Sequence, residues 1–374
     1  MRTSVRCDDG KVWIEGVEGF HPGEFADSVH GCQARVLEAI GEPLTYADLI
    51  CYSGFAFRVN VHEAMCPSGG HPCCGYMCLE NGIRALPWRV RTFDSFPWEE
   101  PKEDRAGFEA EACKAIGESI DRGVPVHYGG EEDGLIIGYA QEGRRWWCLH
   151  PYHEGGRKPF WHDEVEGFAG GKWPWTLSVW QGPRPAERRV PERNLTVATL
   201  RQAVEMWKTE KRGDYFCGEA AYRHWLEWLR GVEEGQVEDP AAGMQGNGWY
   251  LDVLVHSRRI AAEWLARKAE GFEVEVGDHL ATAADHYGRL VEVCMDGIEC
   301  PSELAPPPGQ AEQRTTEMRR EEIRRLEAAR GHDRAAVAAL EVALAGEQGH
   351  GRLEERFRRL NDGSVVGRRK VTPA

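Results

Sequence analysis

The residues of this chain best suited to chemistry are Cys32, Glu132 and His150. Cys32 lies in the segment from Ser28 to Gly41, where the run from Cys32 to Ile40 reads as a helix, with Ser28 upstream as a candidate cap and Gly41 as a stop. A cysteine that opens a helix faces unpaired backbone N–H groups and the positive end of the helix dipole, both of which favour the thiolate. A thiolate there is a candidate nucleophile. The plainer alternative is a buried structural cysteine, a common state for this residue. Glu132 stands just before the run Gly134-Leu-Ile-Ile-Gly-Tyr139, and His150 ends the run Trp146-Trp-Cys-Leu-His150.

A nucleophilic thiol needs a base. Imidazole is matched to neutral pH, whereas a nearby carboxylate raises a thiol pKa by repulsion. Two arrangements would supply the imidazole. In one, His150 reaches Cys32 and Glu132 orients it. In the other, His30, two residues before Cys32, does the work. For His150 the preferred reading is structural, a strand-end histidine held by a backbone carbonyl. Glu132 has three further roles open to it: pairing with an arginine, capping backbone amides, or acting alone on a ligand amine or hydroxyl.

A second cluster is Cys66, His71, Cys73, Cys74 and Cys78, thirteen residues rich in zinc-ligand types. The spacing lacks the paired Cys-x-x-Cys pattern, and no second pair follows at finger distance. A Gly/Pro loop leading into a helix from Tyr76 toward Ile83, with packing cysteines, is preferred, so neither metal nor cofactor is assigned. His153, His162, His224, His256, His279 and His286 read as isolated surface or core residues. The stretch Gly167 to Gly171 lacks the Lys-Ser/Thr of a phosphate loop, because Lys172 is followed by Trp173. Arg314 to Arg330 alternates with glutamate and reads as a solvated helix face.

The elements that must position these residues change in character near residue 190. Before it, Ala106 to Arg122 carries Phe108, Ala112, Ile116 and Ile120 at helical spacing, and Thr45 to Ser53 reads as a shorter helix. Val124 to Tyr128, Gly134 to Tyr139, Arg145 to Leu149 and Thr176 to Trp180 read as strands between glycines and prolines. This pattern predicts an α+β domain over 1–185. Trp180 to Pro191 has linker composition. A helical domain over 192–360 follows, with helices at Val197 to Lys208, Ala220 to Leu229, Val253 to Lys268, Val276 to Met295 and Glu312 to Gly346, the last broken at Gly331. A polar tail covers 361–374.

The formal net charge of −15 over 374 residues disfavours sequence-independent nucleic-acid binding and docking on anionic membranes. The absence of a long apolar run or a secretion-type N-terminus predicts a cytoplasmic protein, in which the 12 cysteines are free thiols. The 14 tryptophans suit buried cores and a ligand pocket.

Residues 20–180 resemble the papain-like superfamily, in the bacterial branch of C39-type peptidases and the N-terminal domain type of butirosin biosynthesis protein H. In that branch a cysteine opens the first long helix, and a histidine begins a strand ending in Gly-Tyr. The next strand ends in an Asp-Pro whose aspartate orients the histidine. By this resemblance Cys32 matches the cysteine, and Gly138-Tyr139 puts Glu132 at the histidine's place. His150-Pro151 puts His150 at the aspartate's place. The segments Asp48 to Arg58 and Glu118 to Val126 also look like those relatives. The family's oxyanion glutamine, about six residues before the cysteine, corresponds to Ala26. The resemblance implies a papain-like domain followed by an all-helical one. It implies a cysteine-dependent acyltransferase or amidohydrolase acting on a small molecule or peptide through Cys32, with an atypical Glu132/His150 pairing. The alternative is a catalytically degenerate papain-like protein that binds such a ligand in the equivalent cleft. A third reading, weakest of the three, is a zinc-stabilised interaction module built on residues 66–78. The helical domain is the candidate surface for a homo-oligomer.

Overall fold

The structure, a computed structural model, describes residues 3–76, 78, 82, 85–96, 102–164, 173–186, 189–306, 315–346 and 365–366. In chain order these contain strands β1 (Ser4–Asp8) and β2 (Lys11–Glu15), helices α1 (Ser28–Ile40) and α2 (Tyr46–Tyr52), and strands β3 (Asn60–His62) and β4 (Trp88–Asp94). Helix α3 (Arg105–Asp121) leads into β5 (Val126–Gly129), β6 (Gly134–Ala140), β7 (Arg145–Leu149), β8 (Phe160–Trp161) and β9 (Thr176–Pro183). Then come α4 (Glu192–Lys208), β10 (Lys211–Arg212), β11 (Tyr215–Cys217), α5 (Gly218–Glu233), α6 (Pro240–Ala269), α7 (Val274–Met295), α8 (Thr316–Gly346) and β12 (Val365–Val366). The class is α+β, as the sequence pattern predicts. None of the described helices is long and apolar enough to cross a membrane.

The chain divides into two compact units, 1–49 with 86–189 and 357–374, and 50–85 with 190–356. One boundary between the units falls at 189–190. Residues 50–85 leave the first unit and join the helical one, which composition gave no means of seeing. The expected linker also begins too early. Strand β9 runs on to Pro183, and Arg184 is buried with its Nε donating to the Trp88 carbonyl at 3.1 Å. Most of the expected helix from Tyr76 to Ile83, the glycine run 167–171 and most of the tail 361–374 lie outside the described residues.

In the first unit the sheet order is β1-β2-β6-β5-β9-β4-β12, with β7 pairing β6 and then β8. All these pairings are antiparallel except β12 on β4. Helix α3 starts at Asp104, whose carboxylate accepts from the Gly107 N–H at 2.9 Å. Its Ala112, Ile116 and Ile120, spaced by four, pack with Ile14, Val126, Ile136 and Val179 of the sheet into one core.

Helix α1 packs on β5 and β6. Gly41 ends it in the left-handed conformation at φ 74°, as expected. Its start differs from expectation. Asp27 is the cap, accepting from the His30 N–H at 2.8 Å, and Ser28 is already helical. Cys32 is thus the fifth residue of the helix, in the second turn. There its own N–H is within the helical ladder, and the terminal dipole has largely faded.

In the second unit, α5, α6, α7 and α8 share a core of Trp225, Leu226, Leu229, Leu251, Leu254, Leu290, Leu326 and Ala329. The small sheet β10-β11-β3 belongs to this unit. Helix α8 runs unbroken through Gly331, contrary to the expected break. Buried Leu326, Ala329, Ala336, Val337 and Leu340 hold it on both sides of that glycine, whose helix cost is only about 1 kcal/mol.

Candidate functional site

The three residues singled out by sequence lie around the end of α1 that faces the β5–β6 turn. Cys32 shares one helical stripe with Val29 and Val36, three and four residues away, and its exposure is 0%. Burial pushes its thiol well above the ordinary value, and the nearby carboxylates of Asp133, Asp27 and Glu132 push it further, against a smaller opposing effect of Arg35. Among the described residues the Cys32 thiol makes no hydrogen bond. The helix-start argument for a thiolate is therefore corrected by both position and surroundings.

Glu132 reaches α1 one turn ahead of the cysteine. The Ser28 hydroxyl donates to Glu132 Oε2 at 2.6 Å and accepts the Asp133 N–H at 3.0 Å. One serine thus pins the β5–β6 turn to the first residue of α1. Asp133, beside Glu132, accepts from the Gly130 N–H at 3.3 Å and meets His127 Nε2 of β5 at 2.5 Å. Both members of that pair are buried. Gly134 follows because Tyr128 fills the space: a Cβ there would lie 2.2 Å from the Tyr128 hydroxyl.

His150 directly follows the last residue of β7. Its Nδ1 accepts from the Tyr152 N–H at 3.3 Å, and its ring stacks on Tyr128 at 6.2 Å. Burial lowers its pKa, outweighing the opposite pull of Asp133 and of a hydrogen bond to the Glu132 backbone. This agrees with the preferred reading of a histidine held by a backbone carbonyl. His30 is also committed elsewhere. Its Nδ1 lies 2.9 Å from both oxygens of Asp27, in a fully buried position. Residues two apart on a helix point to different sides, so His30 is badly placed to serve Cys32. Ala26, at the oxyanion position, spends its N–H on the Tyr46 hydroxyl at 2.9 Å.

Sequence reasoning passed over Asp27, Tyr46, His127 and Asp133. Asp27 had a readable signal, an aspartate just before a helical run. The other three are joined by strand register and by contacts far apart in sequence.

Two further features bear on function. In the first unit a groove of about 770 Å³ is lined by residues that include Arg105, Cys113, Lys114, Trp146, His162 and Trp173. Trp146 and Trp173 meet edge to face at 5.3 Å, and His162 lies 4.9 Å from Trp146. None of Cys32, Glu132 and His150 lines it. In the second unit His71, Cys73 and Cys74 converge, with their ligand atoms within 4.8 Å of one another. Hydrogen bonding from Cys73 pushes the Cys74 thiol down to about 4, against burial and with help from His71. Cys78 is buried, with its thiol donating to the Tyr76 carbonyl. Three further histidines have local contacts: His224 bonds the Glu63 carbonyl, His256 approaches Asp252, and His286 faces His332.

No protein-family model matches the chain, and no curated protein matches it significantly.

Proposed function

We propose that the first unit is a papain-like domain whose cysteine position no longer supplies a nucleophile, and that the protein binds a small molecule or peptide. The observation that carries this reading is the setting of Cys32, wholly buried and beside three carboxylates that hold its proton on. Acyl or amide transfer through Cys32 needs the opposite, a thiolate open to substrate and hydrogen-bonded to an imidazole. Glu132 is bonded to Ser28, His30 to Asp27, and the ring of His150 to backbone groups. The α1-on-sheet arrangement supports the papain-like reading, because it gathers Cys32, Glu132 and the strand-end His150 around one turn.

The groove beside α3 offers the ligand surface. Trp146, Trp173 and His162 give it aromatic walls, and Arg105, Lys114 and Arg144 with Glu109 and Glu142 give it charges of both signs. Pockets of this size take drug-sized molecules. A small-molecule and peptide library screened by thermal shift tests the reading. Compounds that stabilise the natural protein are expected to act equally on Cys32→Ala and to bind at least about tenfold more weakly to Trp173→Ala, a loss of about 1.4 kcal/mol. Hits that require Cys32 and become covalently attached to it would refute the reading.

A further inference from the structure

We propose that His71, Cys73 and Cys74 bind one zinc-class divalent cation through the imidazole and two thiolates, with a fourth position left for water or an added ligand. Thiolate and imidazole are the donors that zinc favours, and two cysteines with one histidine form one of its recurrent three-ligand sets. The geometry is already near what the metal requires. Zn–S bonds of about 2.3 Å place two tetrahedral sulfurs about 3.8 Å apart. The Cys73 and Cys74 sulfurs lie 3.8 Å apart. His71 Nδ1 is 2.8 Å from the Cys73 sulfur, and must withdraw by less than about 1 Å to take its own tetrahedral corner.

The loop is held in shape from behind. Arg58, 4% exposed, donates to the carbonyls of Cys74, Tyr76, Gly69 and His71 at 2.9 to 3.2 Å. Asn60 Nδ2 adds a bond to the Cys74 carbonyl at 3.0 Å. Five donors from two buried side chains thus fix the backbone that carries the ligands, the outer-layer support that metal sites need. Gly75 allows this closeness, since a Cβ there would lie 2.4 Å from Asn60 Nδ2 at a φ of 63°. Tyr215 and Ser68, hydroxyl to hydroxyl at 3.0 Å, stand beside the cluster, and Ser68 bonds the Cys66 sulfur at 3.2 Å. Cys66 and Cys78 are outside the ligand set.

The test uses the full chain purified under reducing conditions, loaded with zinc and desalted. Elemental analysis is expected to give one equivalent of zinc. Cobalt(II) titration of the natural protein is expected to give a thiolate-to-metal charge-transfer band and a tetrahedral visible band. His71→Ala, Cys73→Ser and Cys74→Ser are expected to weaken the metal at least about 100-fold, while Cys7→Ser in the first unit leaves it unchanged. Retention below about a tenth of an equivalent, with no thiolate band in the natural protein, overturns the proposal whatever the variants do. So does zinc retained undiminished in both cysteine variants. These readouts do not depend on the binding function proposed for the first unit.

Discussion

Asp333→Ala is expected to destabilise the helical unit by about 3–5 kcal/mol, the usual cost of leaving one member of a buried ion pair alone. Arg258 of α6 and Asp333 of α8 are both fully buried. Arg258 Nη2 donates to Asp333 Oδ2 at 2.7 Å, and the Tyr222 hydroxyl of α5 donates to the same oxygen at 3.0 Å. The guanidinium also donates to the carbonyls of Ala56, Phe57 and Arg58. One cation therefore joins three helices to the turn at Phe55–Phe57. Burial works against its charge, but Asp333 more than compensates and holds its pKa above the ordinary arginine value. Removing Asp333 leaves that charge in a closed interior. Asp333→Asn keeps the shape and an acceptor, so it should cost less than alanine. Urea unfolding of the full chain, followed by tryptophan fluorescence, measures both. A loss under about 1 kcal/mol for alanine would mean that the pair is hydrated in solution.

Arg58→Ala should be similarly severe, at least about 3 kcal/mol, because four hydrogen bonds to loop carbonyls are lost together, even though the Cys74 carbonyl keeps Asn60 Nδ2. The Arg58 guanidinium also lies over Phe55, 4.6 Å from the ring centroid. The damage should be greatest in the loop carrying His71, Cys73 and Cys74. Hydrogen exchange by mass spectrometry is expected to show peptides over 66–78 opening, while those of α3 and β6 keep their protection. Uniform exposure across both units would contradict this local role. Arg58→Lys should recover little, since an ammonium cannot present the planar fork that spans four carbonyls.

Much of the fold could be read from the sequence because it rests on local patterns. The four-residue spacing from Phe108 to Ile120 gave α3, and the glycine-bounded apolar runs gave β6 and β7. Gly41 gave the end of α1, since only a left-handed residue closes the helix there. Of the readings that failed, the start of α1 turned on a local cap and the others on packing within the unit. The N-terminus of α1 moved back four residues because Asp27, not Ser28, caps it, and that shift took Cys32 out of the first turn. The segment 50–85 joins the helical unit through contacts such as β3 with β11, which no local composition reveals. Gly331 failed to break α8 because the apolar residues on either side pack along one core.

The site was legible to the same degree. The strand-end character of His150 follows from its place after Trp146-Trp-Cys-Leu. The pairing of His127 with Asp133 needs the β5–β6 register, which sets His127 opposite Leu135 and brings the turn back over it. The density of cysteine and histidine between Cys66 and Cys78 marked that loop. Which three of the five residues converge is decided by Arg58 and Asn60 folding the backbone, and the spacing alone could not say.

On the function proposed above, Cys32 is a buried, protonated thiol and not a nucleophile. The most direct measurement is iodoacetamide labelling of the native protein across a pH series, read by peptide mass spectrometry. Exposed Cys7 and Cys300 serve as internal controls. Cys32 is expected to stay unlabelled from about pH 6 to about pH 9 while the exposed thiols are labelled, and to label only on unfolding or at still higher pH. Labelling of Cys32 ahead of Cys7 and Cys300 near pH 6 would contradict the account, and would return Cys32 to the role of nucleophile.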